Sequence, residues 1–239
     1  MTLRNGRYLI VNADDFGQSA GINRGIIEAH ERGVVTSVSL MVRWPAALDA
    51  AKYARIHPEL SVGLHLDLGE WIYRDDEWQP LYKVIQRDGV LEVSHEINDQ
   101  LEKFRSLMGR KPTHIDSHQH VHLREPVKSV VIEIANDLGV PLRSCNSEVG
   151  YVGEFYGQTA EGVSLPEVIS VDGLINILRE LPEGISELGC HPGFADGLDT
   201  MYRSEREQEI KVLCDAQIKE TIAAAGIELC SFANLQVRV

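Results

Sequence analysis

The chain has 239 residues, of which 44% are hydrophobic and 25% charged, and no Gly/Ser- or Pro-rich stretch marks a linker, so one globular domain over residues 1–239 is expected. A formal net charge of −13 would repel a polyanion and argues against nucleic acid as a partner. No apolar run approaches the ~20 residues of a membrane span, and MTLRNGRYLIVNADDFG shows no cationic leader with a small-residue cleavage site. A cytoplasmic protein without a membrane partner is the expectation. The four cysteines, Cys145, Cys190, Cys214 and Cys230, form no C-x-x-C pair and read as reduced thiols rather than a zinc knuckle or a disulfide framework.

Short β-branched apolar runs alternate with helix-like segments, the pattern of βα units around a largely parallel sheet. The first run, Tyr8 to Asp14, opens into Asn12-Ala13-Asp14-Asp15-Phe16-Gly17, which puts two adjacent carboxylates at a strand's C-terminal end. Like charges so close are tolerated when a cation or a proton is shared, although a polar turn capping the next helix gives the same residues. Neighbouring side chains on an ideal strand point to opposite faces, so both aspartates reach one site only if the backbone turns, and Gly17 offers a turn. Ile22, Ile26, Ile27 and Ala29 then predict a helix ending near Gly33.

Val35 to Val42 is the second expected strand, and Ser61 to Leu68 the third, with His65 alternating among apolar residues near its end. Glu70 to Gly89, rich in Trp, Tyr and charge, reads as a long loop carrying Trp71 and Trp78. Ile97, Leu101, Phe104 and Met108 predict a helix stopping at Gly109. The fourth strand starts at Thr113 and places His114, Asp116, His118, His120 and His122 at period two. If the extended conformation persisted, all five would face one way, and so dense a row of ligands is costly to bury unless a metal or substrate fills the space.

Val127 to Leu138 predicts a helix before Gly139, and Val140 to Cys145 a fifth strand with Arg143 near its end. Asn146 to Ser170 reads as a second long loop, with Tyr151, Phe155 and Tyr156. The two loops are either substrate walls or ordinary surface, and their aromatic rings either stack on a sugar or pack the loops down. Ile185 to His191 is the sixth strand, running into Cys-His-Pro-Gly. Ser204 with Glu207 forms a capping box for a helix from Glu205 to Ala225, and Ile227 to Phe232 is the seventh strand.

Several strands thus deliver Asp or His at their C-terminal ends, as a barrel active site requires. Asp, His and His with an open position suit a divalent cation that polarises a carbonyl and activates water. No G-x-G-x-x-G or Walker loop and no G-x-S-x-G elbow points to nucleotide or acyl-serine chemistry.

Together, YLIVNADDFGQSAGINRGI, VGLHLDL, KPTHIDSHQHVH and CHPG resemble the YdjC-like carbohydrate deacetylases, which include chitooligosaccharide deacetylases, across nearly the whole chain. The resemblance implies an α/β fold, a distorted, TIM-like (β/α) barrel of about seven parallel strands like that of polysaccharide deacetylases. It further implies a divalent metal and removal of acetyl groups from N-acetylated amino sugars such as diacetylchitobiose. By motif position Asp15, His65 and His118 would be the metal ligands and Asp14 the general base, with His191 as general acid near neutral pKa. On spacing alone His120 and His122 compete with His118, and otherwise either hydrogen-bond substrate or support the ligands from behind; Trp71 and Tyr151 are further candidates for substrate contact, and Arg143 orients Asp14 or the substrate, or is an ordinary surface arginine. Mg, Zn, Mn and Co all stay open, as does a homodimer. The alternatives are a metal-dependent hydrolase or isomerase on another small sugar or amide, and a catalytically silent metal- or sugar-binding protein.

Overall fold

A computed structural model describes residues 6–85 and 89–235; the first five residues and Gln86–Asp88 of the expected first loop lie outside the described residues. The first half comprises β1 (Arg7–Phe16), α1 (Ala20–Glu31), β2 (Ser37–Leu40), α2 (Ala47–Ile56), β3 (Ser61–Leu66), β4 (Gly69–Arg74), β5 (Glu77–Lys83) and α3 (Val90–Met108). Then come β6 (Ile115–Ser117), α4 (Val127–Leu138), β7 (Val149–Val152), α5 (Val171–Glu180), β8 (Gly184–Cys190), α6 (Ser204–Leu213), α7 (Ala216–Ala224) and β9 (Ile227–Cys230).

Seven strands form one parallel sheet in the order β6-β3-β2-β1-β8-β7, with β9 also on β1. β8 runs along β1 from Arg7 to Ala13. The other edge of β1 is shared, β9 pairing Arg7–Ile10 and β2 pairing from Asn12 onward. This central strand is covered on both faces, which is why YLIVNA reads as a nearly unbroken apolar run rather than an alternation. The sheet curls into an incompletely closed barrel with the helices outside, and one apolar cluster extends from Leu9 to Ile227. Gly109 and Gly139, both in the left-handed region, end α3 and α4 where the sequence puts the stops.

The fifth strand is not where the sequence predicts it. In Val140 to Cys145 Pro141 offers no N–H, and only Leu142 bridges to Ile115; the strand that pairs with β8 is β7, inside the expected second loop. The first loop holds the antiparallel hairpin β4–β5. The long last helix is two helices: α6 ends at Cys214, and the Asp215 side chain accepts from Gln217 N to open α7. Ser204 does not cap α6 and its hydroxyl bonds Glu205 instead. Two helices, α2 and α5, were not anticipated.

Candidate active site

Asp14 and Asp15 enter one cavity because the backbone turns between them. The β1–β2 register breaks between Ala13 and Phe16, and Asp15 takes a left-handed φ of 67°, a region aspartate tolerates better than most residues. Gly17 (φ 94°) completes the turn, and a Cβ there would lie 2.9 Å from the Met41 carbonyl oxygen. The expected strand-face conflict is thereby resolved.

Asp15 is fully buried at the centre of one cluster. Its Oδ1 is 3.3 Å from His65 Nε2 and 3.0 Å from His118 Nδ1, while Oδ2 accepts from Arg206 Nη2 at 2.6 Å. Ligand atoms of Asp15, His65 and His118 lie within 4.8 Å of one another. His65 comes from the end of β3, where Asp116 is its register partner on β6, and its Nδ1 is 2.8 Å from Asp116 Oδ1. The second group of candidate ligands is Asp14, His65 and Asp116.

Beneath the cavity lies a closed network of charge. Arg143 donates to both Asp14 oxygens at 2.6 and 2.8 Å, to Glu187 at 2.8 Å, and lies 2.7 Å from Asp116 Oδ2. Asn12 and Ser39 add hydrogen bonds to Asp14 and Asp116. Burial would raise the Asp14 carboxyl, but the Arg143 charge outweighs it and holds Asp14 below the usual carboxylate value. Burial likewise opposes charge on His65, yet Asp116 and Asp14 bring it up to about 9. A carboxylate with two imidazoles, one ligand atom of each converging within 4.8 Å, fits a divalent cation.

The histidine row does not share a face. β6 ends at Ser117, and Gln119 and His120 take left-handed φ of 51° and 52°, so the chain winds into a short 3₁₀ turn. His118 is turned to Asp15, and His120 faces the cavity with its Nε2 3.4 Å from the Tyr151 hydroxyl. His122 folds back, fully buried, against Ser117 Oγ and the Arg143 carbonyl. Neither His122 nor the Arg143 side chain lines the cavity; Arg143 faces Asp14.

The cavity, about 590 Å³, opens above these groups and is walled by Trp71 and Trp78 of the hairpin, by Tyr151, and by Tyr156 and Tyr202. Phe155 is fully buried and packs the core. His191 follows β8, with Nε2 3.8 Å from Asp14 Oδ2 and its ring edge-on to Tyr156 and Tyr202. Burial lowers His191 to about 4 despite the pull of Asp14 and Asp15, well under the neutral value expected from sequence.

Five neighbours of the site were not singled out from sequence. Glu187 had a usable signal, a lone carboxylate in the covered strand Gly-Ile-Ser-Glu-Leu-Gly-Cys, which demands a buried partner. Arg206, Glu209 and Tyr202, clustered around α6, had none: Arg206 also holds the His191 carbonyl at 3.3 Å, and Glu209 accepts from His191 N and the Tyr202 hydroxyl at 2.5 Å each. Glu70 lay in a stretch that reads as loop.

A sequence model described as YdjC-like protein matches residues 8–224. The chain belongs to the YdjC-like family. It is 34% identical to a chitooligosaccharide deacetylase of Citrobacter koseri, covering 96% of this chain and 99% of that one, and 33% identical to a carbohydrate deacetylase of Geobacillus stearothermophilus, covering 95% and 97%. Among solved structures, a putative cellobiose-phosphate cleavage protein of Enterococcus faecalis superposes with TM-score 0.75 at 28% identity over 95% of this chain and 98% of that one. A family 4 carbohydrate esterase of Streptomyces lividans shares the fold, with TM-score 0.56 at 12% identity over 95% and 93%. The distorted barrel implied by the resemblance is the one observed. Among the described residues no helix is long and apolar enough to cross a membrane.

Proposed function

We propose that this chain, as one domain, is a metal-dependent deacetylase that hydrolyses the acetamide of N-acetylated amino sugars of the chitooligosaccharide type. The observation that carries the reading is the pairing at the cavity floor: Asp15 clusters with His65 and His118, while Asp14, one residue away, is clamped by Arg143 and faces His191. The names of the Citrobacter and Geobacillus relatives support the reaction and the sugar class.

Asp15, His65 and His118 would hold the cation, which when bound polarises the acetamide carbonyl and makes water acidic enough for a weak base. Asp14 is such a base, kept anionic by Arg143, and it accepts the proton of the attacking water. His191 starts neutral, and its Nε2 lies 3.8 Å from Asp14 Oδ2, so a proton taken by Asp14 has a short path to the ring that protonates the leaving amine. Trp71, Tyr151 and His120 line the cavity and would contact the sugar, which is neutral and offers apolar faces to aromatic rings.

The test is acetate release from N,N'-diacetylchitobiose and longer chitooligosaccharides by metal-stripped, re-metallated and Asp14→Asn protein. Release that needs the cation and falls by about 10²–10⁴-fold in Asp14→Asn supports the reaction and the base together. A folded, cation-binding protein that releases no acetate overturns the assignment and leaves another small-sugar reaction or a silent binding protein.

A further inference from the structure

Glu70 stands where the cavity wall meets the cation cluster, and the chemistry above gives it no task. It lies on β4 with 4% exposure. Its Oε2 is 3.5 Å from His118 Nε2, and its Oε1 accepts from Thr200 Oγ1 at 3.1 Å. The next residue, Trp71, is gripped through its backbone by Gln119, the neighbour of His118: Trp71 N donates to Gln119 Oε1 at 2.9 Å, and Gln119 Nε2 donates to Trp71 O at 2.7 Å. Two consecutive hairpin residues thus engage two consecutive residues of the turn that carries His118.

A neutral imidazole that ligates a cation through one nitrogen carries its proton on the other and needs an acceptor there. His65 has that acceptor in Asp116, on Nδ1. His118 is turned the other way round, with Nδ1 toward Asp15, so its remote nitrogen is Nε2. That nitrogen makes no well-formed hydrogen bond, and the Glu70 carboxylate faces it at the 3.5 Å limit of bonding distance. We propose that Glu70 is a positioning residue that couples the hairpin to the cation site. With the cation held by Asp15, His65 and His118, the His118 proton would stand on Nε2, and Glu70 would close onto it and seat Trp71 and Trp78 against the cavity. The coupling is reciprocal, so a ligand held by the hairpin tightens cation binding. The inference rests on the metal-dependent reading.

The experiment uses Co²⁺ as the probe and acrylamide quenching of tryptophan fluorescence as a second readout. It is run in a Trp44→Phe background so that Trp71 and Trp78 report alone. Co²⁺ should reduce quenching in this background protein. Glu70→Ala should weaken Co²⁺ binding by about 10–100-fold and abolish the protection even at saturating Co²⁺, while Glu70→Gln, which keeps an acceptor oxygen, should lose less than Glu70→Ala in both readouts. Tight Co²⁺ binding and intact protection in a folded Glu70→Ala protein overturn the coupling and leave the metal reading standing. A background protein that binds no Co²⁺ overturns both.

Discussion

The two clusters around Asp14 and Asp15 have the same ingredients and opposite states. In the Asp14 half the carboxylates of Asp14, Asp116 and Glu187 converge on Arg143, whose nitrogens lie 2.6–2.8 Å from them, so the group already owns its cation. In the Asp15 half Arg206 takes only Oδ2, leaving Oδ1, His65 Nε2 and His118 together with no guanidinium between them. Both halves contain a set of side chains with metal-ligand spacing. The difference is one of occupancy: the Asp14 carboxylates are already gathered on a buried guanidinium, whereas Asp15 Oδ1 faces two imidazoles, which is why the proposed cation is assigned to the Asp15 side. Two adjacent aspartates are thus given different surroundings by two arginines from distant parts of the chain.

The sharpest way to break this comparison is Arg143→Met. It strands three buried carboxylates, and the expected cost is about 3–5 kcal/mol in urea unfolding, the usual range when one partner of a buried ion pair is removed. A variant as stable as the wild-type protein would mean that the Asp14 half is not held by its arginine. Next in size is the division of labour between the aspartates. Asp15→Asn should weaken Co²⁺ binding by more than about 100-fold, beyond the loss typical of groups that only support a ligand. Asp14→Asn should leave the affinity within a few-fold, measured by the same titration. Equal losses would merge the halves and return His65 to the Asp14–Asp116 group.

The histidine row and the carboxylate pair show how much of this site the sequence carries. The strand ends that bring Asp14, Asp15, His65 and His191 together follow from hydrophobic pattern alone, since each terminates a buried apolar run of the barrel. The row His114 to His122 misleads because period-two spacing speaks only for extended backbone, and here the extension lasts three residues. His114 is buried, stacked on Phe232 with its Nε2 3.0 Å from Ser39 Oγ, while the end of extension at Ser117 and the left-handed residues Gln119 and His120 leave the next three histidines in different directions. Arg206 was illegible for a different reason. It belongs to Ser-Glu-Arg-Glu-Gln-Glu, which reads as a solvated helix face, and only the docking of α6 against Gly193 and the α1 helix buries it. Burial of a charge by tertiary packing leaves no mark in local periodicity.

The smallest effect tests the region behind His191. Glu209 is fully buried, and burial is the largest influence on its carboxyl, raising it to about 8 against the hydrogen bonds from Tyr202 and His191 N. An unfolded glutamate titrates near ~4.3. Between these two values the folded protein keeps a proton that the unfolded chain has released, so the native state binds more protons and its stability falls as pH rises through that window. Glu209→Gln cannot titrate yet keeps an oxygen to accept from His191 N. Urea unfolding of both proteins at pH 5 and pH 9 isolates the effect, because Glu187 and the histidines titrate in each and cancel in the difference. The wild-type protein should lose stability relative to Glu209→Gln between the two pH values. A difference that does not change with pH would mean that Glu209 is ionised throughout, and that a buried negative charge sits behind the His191 backbone and the Tyr202 hydroxyl.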